Sequence, residues 1–332
     1  MIAHILKKPS ITFAGVQYNT NKVDRNTGEL MLIANFGPLQ ALNNPRPQDL
    51  VNYLQVLAAQ HRNKGLKNTQ FHAVISANGR NYNKHELTKA AVMWLKEMKY
   101  GEQPYLIVFH KDTENHHLHV VSSRVDRQGK LIDRDYEHVR SVRSLDKVLG
   151  YTFALQYQFS TKAQFYLILE NQGYLGRDYL HEKKLASKIA GYVPDKTRMA
   201  ELKELFLKER HDPAFIQRMH DRYQVDIILH GADGKKPYGY TVIDHATKRV
   251  LKGSEILSLK YLLDENIEYI PPKQRDLITL SDLNKDDSLT YSYEYQSEPV
   301  HIQPVMIADD IDDQQVLGMK RRRQKKARTN TR

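Results

Sequence analysis

The segment His110-Lys111-Asp112-Thr113-Glu114-Asn115-His116-His117-Leu118-His119 concentrates more potential chemistry than any other part of the chain. Imidazole suits borderline divalent ions, and three protein ligands leave coordination positions open for a substrate oxygen. Tyr105 to Phe109 before it and Val120-Val121 after it are rich in β-branched and aromatic residues, so the segment reads as a polar turn between two strands. Side chains alternate along a strand, which puts His117 and His119 on one face and Leu118 on the other. In a hairpin His110 lies across from that pair, and three imidazoles converge. Asp112 lies near enough in the turn to accept the second ring N–H of a ligand histidine, which would fix its tautomer. His116 points to the opposite face and falls outside the set.

The pattern His110, Asp112, Asn115, His117 and His119 resembles the third motif of relaxases, the mobilisation nucleases of conjugative and mobilisable DNA within the HUH endonuclease superfamily. The likeness is to the MOB-P-like relaxases of mobilisable elements. In that family an N-terminal tyrosine attacks DNA. Tyr18 meets the demand within Phe13-Ala14-Gly15-Val16-Gln17-Tyr18-Asn19-Thr20-Asn21-Lys22, which is similar to the first motif. Phe71-His72-Ala73-Val74-Ile75-Ser76 is similar to the second. The resemblance runs from residue 1 to about residue 262. It implies an α+β relaxase core with an antiparallel sheet, a divalent ion on His110, His117 and His119, and DNA contacts from Lys22, Ser76, Asn115 and Arg124. Tyr82 and Tyr100 are the nearest rival tyrosines, but motif order favours Tyr18.

A tyrosine hydroxyl, with an ordinary pKa near ~10, attacks poorly until activated, and an anionic phosphodiester repels nucleophiles. A cation on the three histidines would bind a non-bridging oxygen and hold the phosphorus for in-line attack. Tyr18 would then displace the 3′-hydroxyl and keep the 5′-phosphate, with Asp112 taking the phenolic proton directly or through a histidine or water. The resemblance points to Mg²⁺ or Mn²⁺; ligand type alone also allows Zn²⁺ or Ni²⁺. It also implies single-stranded DNA at an origin of transfer as the partner, with an adjacent hairpin, accessory mobilisation proteins and a coupling protein.

Other elements must hold this constellation. Residues 2–6 and 11–18 look extended. Leu50, Val51, Leu54, Leu57 and Ala58 make a helical stripe between Gln48 and Asn63, and Phe71–Ser76 reads as a strand. Lys84 to Lys99 is the clearest helix, with Leu87, Ala90, Ala91, Trp94, Leu95 and Met98 at three- and four-residue spacing. This order suits an antiparallel sheet with helices on one face. Helices are expected over Val139–Phe159, Lys162–Asn171 and Asp195–Arg210, where Tyr151, Tyr157, Phe165, Tyr166 and Tyr174 are either core or base-stacking residues. Val225–His230, Tyr238–Asp244 and Arg249–Ser254 read as a β-meander followed by a helix. Lys235, Lys236, Arg249 and Lys252 give it a basic cast.

The expected organisation is a nuclease domain with its helical extension over 1–210, a small β-rich DNA-contacting module over 211–263, and a largely disordered tail over 264–332. That tail ends in the cationic run Lys320, Arg321, Arg322, Arg323, Lys325 and Lys326, a candidate grip on phosphates. A formal net charge of +11 over 332 residues gives a salt-sensitive attraction for nucleic acid. The absence of cysteine excludes disulfides, thiolate ligands and cysteine nucleophiles. No apolar run of ~18 residues is present, so no membrane insertion and a bacterial cytoplasmic location are expected. Three readings compete: a relaxase or its rolling-circle or transposase relatives, a three-histidine metallohydrolase using metal-bound water, and a basic DNA-binding protein that cuts nothing.

Overall fold

The computed structural model describes residues 1–7, 10–42, 45–231 and 235–263. The run from Lys320 to Lys326 and the expected disordered tail lie outside those residues. The chain divides into two compact units, the first over Met1–Leu145 and the second beginning at Asp146.

The first unit contains, in chain order, β1 (Ile2–Ile5), α1 (Ala14–Asp24), β2 (Gly28–Ala34), a 3₁₀ turn (Gly37–Ala41), α2 (Pro47–Ala59), β3 (Gln70–Ser76), α3 (Lys84–Glu97), β4 (Tyr105–His110) and β5 (His117–Ser123). The helix α4 (Glu137–Val148) follows. The five strands form one antiparallel sheet in the order β1-β3-β5-β4-β2. β4 and β5 are buried along their whole lengths, which matches the apolar run Tyr105–Phe109 of β4, whereas β5 buries two histidines and two serines beside Leu118, Val120 and Val121.

The expectation of helices on one face is corrected, because both faces are covered. Leu106, Val108 and Val121 share a core with Phe13 and Val16 and with Leu50, Val51 and Leu54 of α2. On the opposite face Phe71 stacks on Trp94 of α3, whose indole N–H donates to the Ser141 carbonyl of α4 at 3.0 Å. A sheet whose central strands are apolar on both sides needs two covers.

A second correction concerns residues 14–18, which are helical rather than extended. α1 begins after Phe13, whose backbone is left-handed at φ 53°. For a bulky residue that conformation costs about 1–2 kcal/mol. Full burial of the Phe13 ring offsets it with about 1.5–3 kcal/mol. The helix has no capping side chain of its own. Instead Gln70 of β3 accepts the Gly15 N–H at 2.9 Å, satisfying one of the first-turn donors. The approach is close: a Cβ at Gly15 would lie 3.0 Å from Nδ1 of His72 and 3.1 Å from Oε1 of Gln70.

The second unit carries α5 (Tyr151–Ala154), α6 (Lys162–Asn171), α7 (Glu182–Ala190), α8 (Lys196–Glu209) and α9 (Phe215–Tyr223). An antiparallel meander follows, β6 (Val225–His230), β7 (Gly239–Asp244) and β8 (Arg249–Lys252), then the short helices α10 (Gly253–Ile256) and α11 (Leu259–Leu262). Leu202 and Phe206 of α8 share one core with Val225, Val242 and Leu251 of the meander. The single helix expected over Val139–Phe159 is broken at Gly150, which is left-handed at φ 82° and would set a Cβ 2.3 Å from the Tyr174 ring. Tyr151, Tyr157 and Phe165 are buried core residues. Among the described residues no helix is long and apolar enough to cross a membrane.

Candidate active site

Strand pairing brings the three histidines together. His110 ends β4 and lies directly opposite His117 at the start of β5. His119, two residues on, shares their face, and Val74 and Ser76 of β3 lie opposite His119 and His117. The ligand atoms of His110, His117 and His119 all lie within 4.8 Å of one another, and all three residues are buried.

One nitrogen of each ring is engaged by the protein, and proton accounting fixes two of the three tautomers. Asn19 spends its amide N–H on the Gly15 carbonyl at 2.7 Å, so its Oδ1 faces His110 as an acceptor, 2.9 Å from Nε2. The proton of His110 therefore sits on Nε2. Thr113 spends its hydroxyl proton on the Asn115 carbonyl at 2.7 Å. Nδ1 of His117, 3.0 Å from Oγ1 of Thr113 and 3.2 Å from the Asn115 carbonyl, must be the donor to both. Nδ1 of His119 lies 2.8 Å from Nε2 of His72. A cation would thus sit on Nδ1 of His110 and Nε2 of His117 and His119, three buried atoms. Three imidazole donors of this spacing fit a divalent ion. Burial lowers the His72 pKa to about 4. Burial, followed by the charges of His72, His117 and Lys22, pushes His119 well below the ordinary imidazole range.

Tyr18 lies in the second turn of α1, half-buried, with its ring centroid 6.0 Å from that of His110 and 5.9 Å from that of His119. Lys22, one turn further on, holds its ammonium 5.7 Å from the Tyr18 ring centroid and pairs with Asp112 at 2.5 Å. The ring nitrogens of the three histidines meet Asn19, Thr113, Asn115 and His72 rather than Asp112, whose carboxylate holds Lys22 instead. Tyr82 and Tyr100 are wholly buried, and burial raises the Tyr100 hydroxyl far above the ordinary tyrosine range.

The remaining expected DNA contacts are distributed differently. Ser76 shares the histidine face but is buried, its hydroxyl donating to the Ala77 carbonyl at 3.2 Å. Asn115 accepts the Gly79 N–H at 2.6 Å and so ties the loop after β3 to the histidine turn. Arg124 stands apart from the site: it is 2% exposed and pairs with Glu137 at 2.7 Å. A guanidinium enclosed in this way braces the end of the sheet and has no surface to offer a phosphate. His116 bonds the Tyr82 carbonyl at 2.7 Å and packs edge-on against Phe109, away from the histidine face.

A phenol thus lies beside a buried three-imidazole cluster that could hold a metal ion, on an antiparallel sheet of an α+β fold. Residues 18–149 match the family described as relaxase, MobA/VirD2-like, nuclease domain. Over those residues the chain is similar to the relaxase family, whose nuclease domain is a metal-dependent DNA endonuclease. Neither the curated proteins nor the solved structures compared with the chain give a match.

Proposed function

We propose that the chain nicks one strand of DNA at an origin of transfer by transesterification, with Tyr18 as nucleophile, and so initiates mobilisation. The observation that carries this reading is the Tyr18 ring beside His110 and His119, two of the three converged imidazoles. A divalent cation held by His110, His117 and His119 would supply positive charge to a non-bridging phosphate oxygen and offset the charge that builds in the transition state. Mg²⁺ or Mn²⁺ is the proposed ion.

In the proposed step the phenolic oxygen of Tyr18 forms a bond to phosphorus as the bond to O3′ breaks. The phenolic proton passes to Asp112, directly or by way of a histidine or water, and the departing 3′ oxygen takes up a proton to become a hydroxyl. The product is a 5′-phosphotyrosine. Because one phosphodiester replaces another, the 3′-hydroxyl can reverse the step without ATP. Lys22, pinned by Asp112, brings a second positive charge to the scissile phosphate. Ser76 and Asn115 serve the site through its framework, on the histidine face and in the histidine turn, while the basic run from Lys320 to Lys326 is the proposed source of sequence-independent phosphate contacts. The partner is single-stranded DNA with a hairpin beside the nick, in a bacterial cytoplasm, together with accessory mobilisation and coupling proteins.

The test is incubation of the full chain with end-labelled single-stranded origin DNA and Mn²⁺, resolved under denaturing conditions. A protein–DNA adduct that Tyr18→Phe fails to form is the expected result. Cleavage without an adduct would instead assign water as the nucleophile, and intact, shifted DNA would leave only binding.

A further inference from the structure

His72 takes no part in the chemistry described above, yet it is hydrogen-bonded to His119. It lies on β3 diagonally across from His119: the strand register places His72 opposite Val121, two residues beyond His119 and on the same face. Its Nε2 is 2.8 Å from Nδ1 of His119, with ring centroids 5.1 Å apart. We propose that His72 is a positioning residue: its Nε2 accepts the Nδ1–H of His119 and so turns the Nε2 lone pair of His119 toward His110 and His117, where a divalent cation binds. The proposal rests on the reading of the three histidines as metal ligands.

Three observations support the assignment. First, Nε2 of His119 is the buried atom among the converging donors, and a neutral imidazole has one N–H and one lone pair to distribute. An acceptor at Nδ1 settles the distribution. Second, the other two ligands are held in the same manner by acceptors whose roles are unambiguous, Asn19 Oδ1 for His110 and Thr113 Oγ1 for His117. His72 completes the set. Third, His72 packs against the start of α1: a Cβ added at Gly15 would lie 3.0 Å from its Nδ1, and Gln70 on the same strand face fastens that helix turn. The helix that carries Tyr18 and the ring that orients His119 are thereby tied to one strand.

The orienting groups so defined are an amide oxygen, a hydroxyl, a carbonyl and an imidazole, with no carboxylate among them. A carboxylate would raise the basicity of its ligand ring; these neutral acceptors fix direction without adding negative charge. A bound ion therefore keeps its charge for the DNA phosphate.

The test uses the full chain carrying His72→Phe, which keeps a ring and removes the acceptor, and His72→Gln, whose Oε1 restores one. Mn²⁺ affinity is measured by titration calorimetry without DNA, and the His119 tautomer is read from ¹⁵N chemical shifts in the metal-free protein. The proposal expects an Nδ1–H tautomer for His119 in the unsubstituted chain, a loss of Mn²⁺ affinity of about 10–100-fold in His72→Phe, and recovery of most of it in His72→Gln. A thermal melt of each metal-free variant separates misfolding from loss of the acceptor. An Nε2–H tautomer in the unsubstituted chain, or unchanged Mn²⁺ affinity in a folded His72→Phe, would overturn it. The tautomer is read without metal or DNA, so this idea can fail while Tyr18 still forms its adduct, and the reverse also holds.

Discussion

The two units each gather histidines around polar partners, and the difference between the gatherings separates a site from a brace. In the first unit His110, His117 and His119 converge on one another, and the groups that orient them are neutral. In the second, His220 and His245 converge on a carboxylate. His245 Nε2 donates to Asp226 at 2.8 Å, His220 bonds the other carboxylate oxygen, and Asn171 adds a further donor. The Tyr157 hydroxyl, 2.6 Å from His245 Nδ1, closes the chain. Burial alone would raise the Asp226 carboxyl, but hydrogen bonds from His245, His220 and Asn171 outweigh it and hold the group well below the ordinary carboxylate range. The second cluster carries its own counter-charge and needs nothing from outside. The first brings three imidazole donors within reach of one another, where a divalent ion could bind.

The most severe way to break this contrast is to remove a converging ring. His117→Ala and His119→Ala are expected to lower nicking by at least about 10³-fold while leaving part of the DNA affinity, measured by gel cleavage and by filter binding. Persistent nicking in both variants would erase the distinction between the clusters. A smaller effect is expected at Lys22. Lys22→Ala should cost about 10²-fold in nicking rate and flatten the salt dependence of DNA binding by about one unit of slope. An unchanged rate would make the Lys22–Asp112 pair a surface ornament.

The smallest effect tests the brace. Asp226→Asn should leave nicking unchanged and lower the stability of the second unit by about 1–3 kcal/mol near neutral pH. The sign of its pH dependence follows from the depressed carboxyl. The stabilisation is fully present above the unfolded carboxylate pKa of about 3.9 and is lost as pH falls below that toward the folded value. Urea melts of the two proteins should therefore converge under acid conditions. A gap that stays constant from neutral pH to pH 2 would show that the ionised carboxylate is not what the cluster stabilises.

The centre of the site was legible because the hairpin obeys two local rules. Its strands are β-branched and aromatic, and alternation alone places His117 and His119 together with His110 opposite. Thr113 and Asn115 meet His117 within the turn itself, but Asn19 and His72 were not legible, since each depends on a contact distant in sequence. Asn19 reaches His110 only because α1 is a helix, and α1 shows no apolar stripe: its buried residues include Gly15, Asn19 and Thr20 beside Val16. A β-branched, aromatic stretch of that composition reads as a strand when viewed locally. His72 reaches His119 through the β3–β5 register, which periodicity does not supply. β2 escaped notice because it lies at the sheet edge, half-exposed along most of its length and interrupted by a register shift between Leu30 and Leu32. Arg124, expected from the resemblance as a DNA contact, is claimed instead by Glu137.

The central claim is that the Tyr18 oxygen becomes the ester to DNA. Its most direct test is proteolysis of the full-length chain after reaction with single-stranded origin DNA and Mn²⁺, followed by mass spectrometry of the nucleotide-bearing peptide. The account predicts a 5′-nucleotide on the peptide that contains Tyr18 and on no other tyrosine. A nucleotide on a different tyrosine, or cleaved DNA with every tyrosine unmodified, would contradict it.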